Sequence, residues 1–109
     1  MTITPPPISD TDIQAAQRLT DEAFPEALAM LSELVLIPGI AWDAFDPSEL
    51  EKSAAAVAQL LRDLEVFDSV EILKSKTSGG RLGAPAVVAT RAAKKSKPTI
   101  LLYAHDDVQ

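Results

Sequence analysis

Apolar positions recur at helical spacing in the first half of the chain and at strand spacing in the second. Ser9 or Asp10 is placed to cap a first helical segment reaching Leu19. Pro25 then interrupts the pattern; it either opens a second segment or kinks a continuous helix. Beyond it, Phe24, Leu28, Leu31 and Val35 form one stripe, with Ala27 and Leu34 beside it and Glu26 and Glu33 across from it. That spacing predicts an amphipathic helix packed on a core. Pro38-Gly39 ends it. The next helix has the clearest local signals. Asp46 is the predicted N-cap, Pro47 takes the first helical position, and Glu49 completes a capping-box pattern. Its stripe runs Leu50, Ala54, Val57, Leu61, Leu64 and ends near Glu65. A helix end often takes a left-handed glycine, and Glu65 is a poorer choice there.

Three strands are predicted after the helices. Ser69–Lys74 alternates Val70 and Ile72 with Glu71 and Lys74, and Ala86–Arg91 carries Val87, Val88 and Thr90. Thr99–Ala104 is a short continuous apolar run, the pattern of a strand buried on both faces. Gly79-Gly80 and Gly83-Ala84-Pro85 separate the first two strands, and Lys94–Pro98 separates the last two. Helix, helix, then three strands predicts the beginning of an α/β layered domain. Residues 1–7, with three consecutive prolines, are expected to be an extended tail, and residues 8–109 to form one folded unit.

Composition narrows the function more than the fold. The chain has 109 residues, 47% of them hydrophobic, enough for one small core. Its net charge of -6 argues against nucleic-acid or anionic-membrane partners through bulk charge. From Lys74 to Lys97 every charged residue is basic. No aromatic is interleaved to stack bases, so this run reads as solvated loops and strand edges. With no cysteine, disulfides and thiolate metal sites are excluded, and a cytoplasmic location is compatible. MTITPPPISD lacks the basic and apolar regions of a secretory signal, and no apolar run approaches the length of a membrane span.

The candidate chemistry sits in Tyr103-Ala104-His105-Asp106-Asp107-Val108-Gln109. His105 is the single histidine and follows the third predicted strand, where loops carrying chemistry begin. In an extended chain His105 and Asp107, two apart, point to the same face. A neutral imidazole is a zinc ligand, and a carboxylate beside it fixes its orientation. The bare spacing is more often that of an ordinary surface loop than of a metal site.

Four stretches occur in order: Leu34-Val35-Leu36-Ile37-Pro38, Phe67-Asp68-Ser69-Val70-Glu71-Ile72, Gly83-Ala84-Pro85-Ala86-Val87-Val88-Ala89, and Pro98 through Gln109. Together they resemble the start of the dinuclear-zinc hydrolase family of carnosinase-like dipeptidases, acetylornithine deacetylase and succinyl-diaminopimelate desuccinylase. The dipeptidase branch is nearest, through Tyr-Ala-His-x-Asp-Val-Gln. The resemblance covers about residues 26–109. It implies that His105 binds one of two zinc ions and that Asp107 holds its ring, while Asp106 has no assigned role. Glu65 stands where relatives often carry glycine. The substrate implied is a dipeptide or an N-acyl amino acid, and the parent enzyme is a possible homodimer through a lid domain. The remaining ligands, the glutamate base and the lid have no counterpart in these residues. The chain is therefore expected to be a portion of a metallopeptidase, inactive alone and binding zinc weakly or not at all. The alternative is a small non-catalytic interaction protein built from the same first elements, with open sheet edges as its binding surface.

Overall fold

The structure, a computed structural model, describes residues 4, 7–95 and 97–108. Most of the tail expected over residues 1–7 lies outside the described residues.

Helix α1 spans Asp10–Val35 as one continuous element with Pro25 inside it. Ser9 is the N-cap; its Oγ accepts from the Asp12 N–H at 3.1 Å. Asp10 and Asp12 add negative charge to the first turn, favourable toward the partial positive charge of the exposed N–H groups. The proline thus neither opens a second helix nor ends the first. The predicted packing of this helix differs in the structure. Phe24, Leu28, Leu31 and Val35 are all more than half exposed, and no residue of α1 is fully buried. At 1.5 Å per residue a helix this long reaches about 39 Å. Among the described residues its C-terminal end meets the rest of the fold, where Met30, Leu34 and Ile37 line a shallow groove with Ala56 and Leu60.

Helix α2, Pro47–Asp63, starts where its cap chemistry predicts. Asp46 accepts from the Ser48 N–H at 2.9 Å. Glu49 does not complete a capping box; its carboxylate pairs with Lys52 one turn on. The helix ends at Leu64, and Glu65 follows with φ 53°, the left-handed conformation anticipated for a residue that is not glycine.

Strands β1, Ser69–Leu73, and β2, Ala86–Thr90, pair antiparallel with Val70 opposite Ala89 and Ile72 opposite Val87. Those four share the face turned toward α2, because side chains alternate along each strand. The connection narrows through a Lys76–Leu82 bridge to a tight turn, where Gly80 takes φ 78°. On the outer face the Ser69 and Thr90 hydroxyls meet at 2.7 Å.

Two helices and a two-stranded sheet make this a mixed α/β fold. Its buried centre is small: Ala54 and Ala58 on α2 are fully buried, and Ser53 and Gly39 beside them nearly so. Small side chains let α2 lie close to the sheet, while Leu64, at the end of the predicted stripe, is exposed. The third expected strand, Thr99–Ala104, forms no ladder. Among the described residues no further strand lies beside it, and an apolar run becomes a strand only by pairing. No helix among the described residues is long and apolar enough to cross a membrane.

Candidate functional site

The last described residues are tied to the body of the fold by two bonds. Ser53 Oγ, near the middle of α2, donates to the Asp106 carbonyl at 3.1 Å. The Val108 N–H donates to the Gly39 carbonyl at 3.0 Å. Gly39 is needed for the close approach: a Cβ there would lie 3.1 Å from Ser53 Cβ and 3.2 Å from the Glu49 carbonyl oxygen. The helix-ending Pro38-Gly39 therefore doubles as the dock for the histidine-bearing segment.

Along this segment three side chains stand in a row. Tyr103 Oη lies 3.1 Å from His105 Nε2, with the rings edge to face at a centroid distance of 5.4 Å. His105 Nδ1 lies 3.5 Å from Asp107 Oδ1, a charge contact longer than a good hydrogen bond. Contacts between residues two apart are the signature of an extended chain with one shared face. The row is satisfied when Tyr103 O–H donates to Nε2 and Nδ1–H points at Asp107. The imidazole is 76% exposed and the Asp107 carboxylate only 17% exposed. The acid is thus the mostly covered member of the pair and the ring the accessible one.

This donor set fits one metal ligand with its orienter. It does not fit a complete zinc site, which takes at least three protein ligands. Among the described residues no group of three histidine, cysteine, aspartate or glutamate side chains converges. Asp106 leaves the row, its backbone carbonyl being engaged by Ser53. Turning Nε2 toward a metal also requires Tyr103 Oη to move aside.

Sequence reasoning missed a second concavity. A cleft of about 660 Å³ lies between the loop around Trp42 and Phe45, the start of α2 and the β1–β2 connection at Leu82 and Pro85. Two ion pairs belong to its lining: Lys74 with Glu51, and Arg81 with Asp43 at 3.7 Å. They place part of the basic run against acidic residues, as surface charge pairing. Three separated segments build the cleft, so no local pattern announces it. The one available signal was Trp42, the single tryptophan, in a loop. Neither His105 nor Asp107 lines it.

No family model, curated protein or solved structure matches this chain.

Proposed function

We propose that this chain is the N-terminal portion of the catalytic domain of a cytoplasmic zinc-dependent dipeptidase, carrying that enzyme's first metal-ligand motif. One observation carries the reading: within Tyr103-Ala104-His105-Asp106-Asp107-Val108, the ring nitrogen of an exposed His105 faces the mostly covered carboxylate of Asp107 at 3.5 Å. In this reading Asp107 holds Nδ1 and its tautomer, leaving Nε2 for the metal. Bound zinc would supply Lewis-acid polarisation of the scissile carbonyl of a dipeptide or N-acyl amino acid. The chain's own residues offer one ligand and one orienter, and residues 8–109 would need the remaining ligands, a general base and a lid from elsewhere in the parent. On its own the chain is inactive.

The coding sequence beyond Gln109 tests this directly. A continuing frame that supplies acidic ligands and a later histidine is expected, and in that longer protein His105→Ala should lose both bound zinc and dipeptide turnover. A stop codon after Gln109, or a longer protein whose zinc content and turnover survive His105→Ala, would overturn it. The alternative of a small interaction protein draws support from a different observation, the exposure of Ile100, Leu101, Leu102 and Tyr103.

A further inference from the structure

Two hydroxyls on α1 bond within their own helix. Thr20 Oγ1 donates to the Ala16 carbonyl and Ser32 Oγ to the Leu28 carbonyl, both at 2.8 Å. That is the usual course for a hydroxyl inside a helix. Ser53 on α2 departs from it. Its hydroxyl donates across 53 residues of sequence to the Asp106 carbonyl, at 3.1 Å. Ser53 is 3% exposed, and a buried hydroxyl requires a partner.

The bond falls on a peptide that matters to the candidate site. The Asp106 carbonyl belongs to the peptide plane just before the Asp107 Cα. The plane just after it carries the Val108 N–H, which donates to the Gly39 carbonyl at 3.0 Å. A residue's φ and ψ are the two rotations that relate its flanking planes. With a bond on each plane, the backbone of Asp107 is restrained, and so is the direction of its Cα–Cβ bond. What remains to the carboxylate is a choice of side-chain rotamers. It is 17% exposed and lies 3.5 Å from Nδ1 of His105. The ring itself is 76% exposed, and among the described residues its contacts are to Asp107 and Tyr103 on its own segment. Control over the ring therefore runs from α2, through the Asp106 peptide, to Asp107.

We infer that Ser53 is a positioning residue for the His105–Asp107 pair. Its value to zinc binding rests on the function proposed above, whereas its effect on the ring needs no metal. A carboxylate facing Nδ1 favours the tautomer with hydrogen on Nδ1, which leaves the Nε2 lone pair for a ligand role. Without the Ser53 bond the Asp106 peptide is free to turn. The carboxylate then leaves Nδ1 part of the time, and the ring divides between its two tautomers. Tyr103 O–H at Nε2 favours the same tautomer as Asp107, so the loss is partial.

Nitrogen-15 NMR of the His105 ring in the metal-free chain tests the inference, with a chelator present and at about pH 9, where an ordinary imidazole is neutral. His105 is the single histidine, so its ring signals stand alone. The wild type should show two widely separated ring signals, with the hydrogen on Nδ1. Ser53→Ala should narrow that separation toward the value of a free imidazole in water. Ser32→Ala, which removes a hydroxyl bonded inside α1, should leave it unchanged. Ser53→Cys keeps the volume and donates only weakly, so it should shift the signals part of the way and serves where alanine costs the fold. With Asp107→Ala in place, Ser53→Ala should add nothing, because the serine acts through that carboxylate. A wild-type ring already averaged like free imidazole would overturn the inference. So would either Ser53 variant with wild-type ring signals and intact helical circular dichroism, or a Ser53→Ala shift that persists in full when residue 107 is alanine. No metal enters the measurement, so failure here leaves the zinc reading standing, and a longer protein indifferent to His105→Ala leaves this result standing.

Discussion

Gly39 and Ser53 are packed so closely that a Cβ on the glycine would stand 3.1 Å from the Ser53 Cβ. Each also holds the segment after Ala104, Gly39 through its carbonyl to Val108 and Ser53 through its hydroxyl to Asp106. One small-residue contact between the end of α1 and the middle of α2 thus decides where His105 sits. Gly39→Ala forces the loop or α2 to shift and should destabilise by about 1–3 kcal/mol, the usual range for overpacking. Ser53→Ala keeps the packing and removes one bond, costing about 1 kcal/mol. In both variants amide hydrogen exchange at Val108 should accelerate. Wild-type protection in Gly39→Ala would refute the dock.

Glu65 is the one described residue other than glycine with positive φ. A side chain in that conformation costs roughly 1–2 kcal/mol against glycine. The position closes α2, and Glu65 N–H still donates to the Arg62 carbonyl at 3.0 Å, so the conformation is held by the helix end. Glu65→Gly should raise the denaturation midpoint in urea by about 1 kcal/mol in stability. Glu65→Ala should leave it nearly unchanged, which separates the conformational effect from loss of charge.

Asp46 gives α2 a pH dependence. The hydrogen bond from the Ser48 N–H, with the Ser48 side chain and Lys52 adding to it, holds its carboxyl below the ordinary value of 3.8. The folded pKa is the lower one, so the cap's contribution is fully present above the unfolded pKa. It is lost as pH falls through the folded value. Lys52 is shifted the opposite way, above 10.5, by its bond to Glu49 and that residue's charge. Its contribution is present below the unfolded pKa and is lost as pH rises through the folded one. Both groups are exposed, so both effects are small. Asp46→Asn keeps a capping oxygen without a charge. Its thermal midpoint should fall less steeply below pH 4 than that of the wild type, and an unchanged acid limb would refute the role of Asp46.

The elements legible in the sequence are those set by local chemistry. Asp46-Pro47 starts α2 where its cap residues act, Val70 and Ile72 alternate onto one sheet face, and the run around Val87 and Val88 forms the strand that pairs with them. Two features depended on distant partners and were not legible. The α1 stripe predicted contact with a core, but periodicity says only which face is apolar, not whether anything lies against it. Thr99–Ala104 has a buried strand's composition but no neighbouring strand among the described residues, so it forms no ladder. At the candidate site, the shared face of His105 and Asp107 followed from spacing. Tyr103 at Nε2 and the anchorage through Ser53 and Gly39 did not, because they need the third dimension.

The final prediction concerns metal. His105 is the single histidine, and the chain has no cysteine. Asp107 Oδ1 lies 3.5 Å from Nδ1 of that ring, and no third acidic or imidazole group converges among the described residues. One ligand with its orienter cannot close a zinc site, since a tight one needs at least three protein ligands. Tyr103 Oη, 3.1 Å from Nε2, adds a contact that metal must displace. Calorimetric titration of the chain with zinc at neutral pH should show no stoichiometric site of submicromolar affinity. The weak residual binding should be lost in His105→Ala and strengthened modestly in Tyr103→Phe, which frees Nε2. In the proposed longer parent, His105→Ala should lose metal and turnover together. Asp107→Asn, which keeps the shape of the orienter but not its charge, should retain much of the metal and lose turnover. A tight stoichiometric site in the 109-residue chain, abolished by His105→Ala, would mean that side chains far apart in this fold converge on the ring when zinc is added.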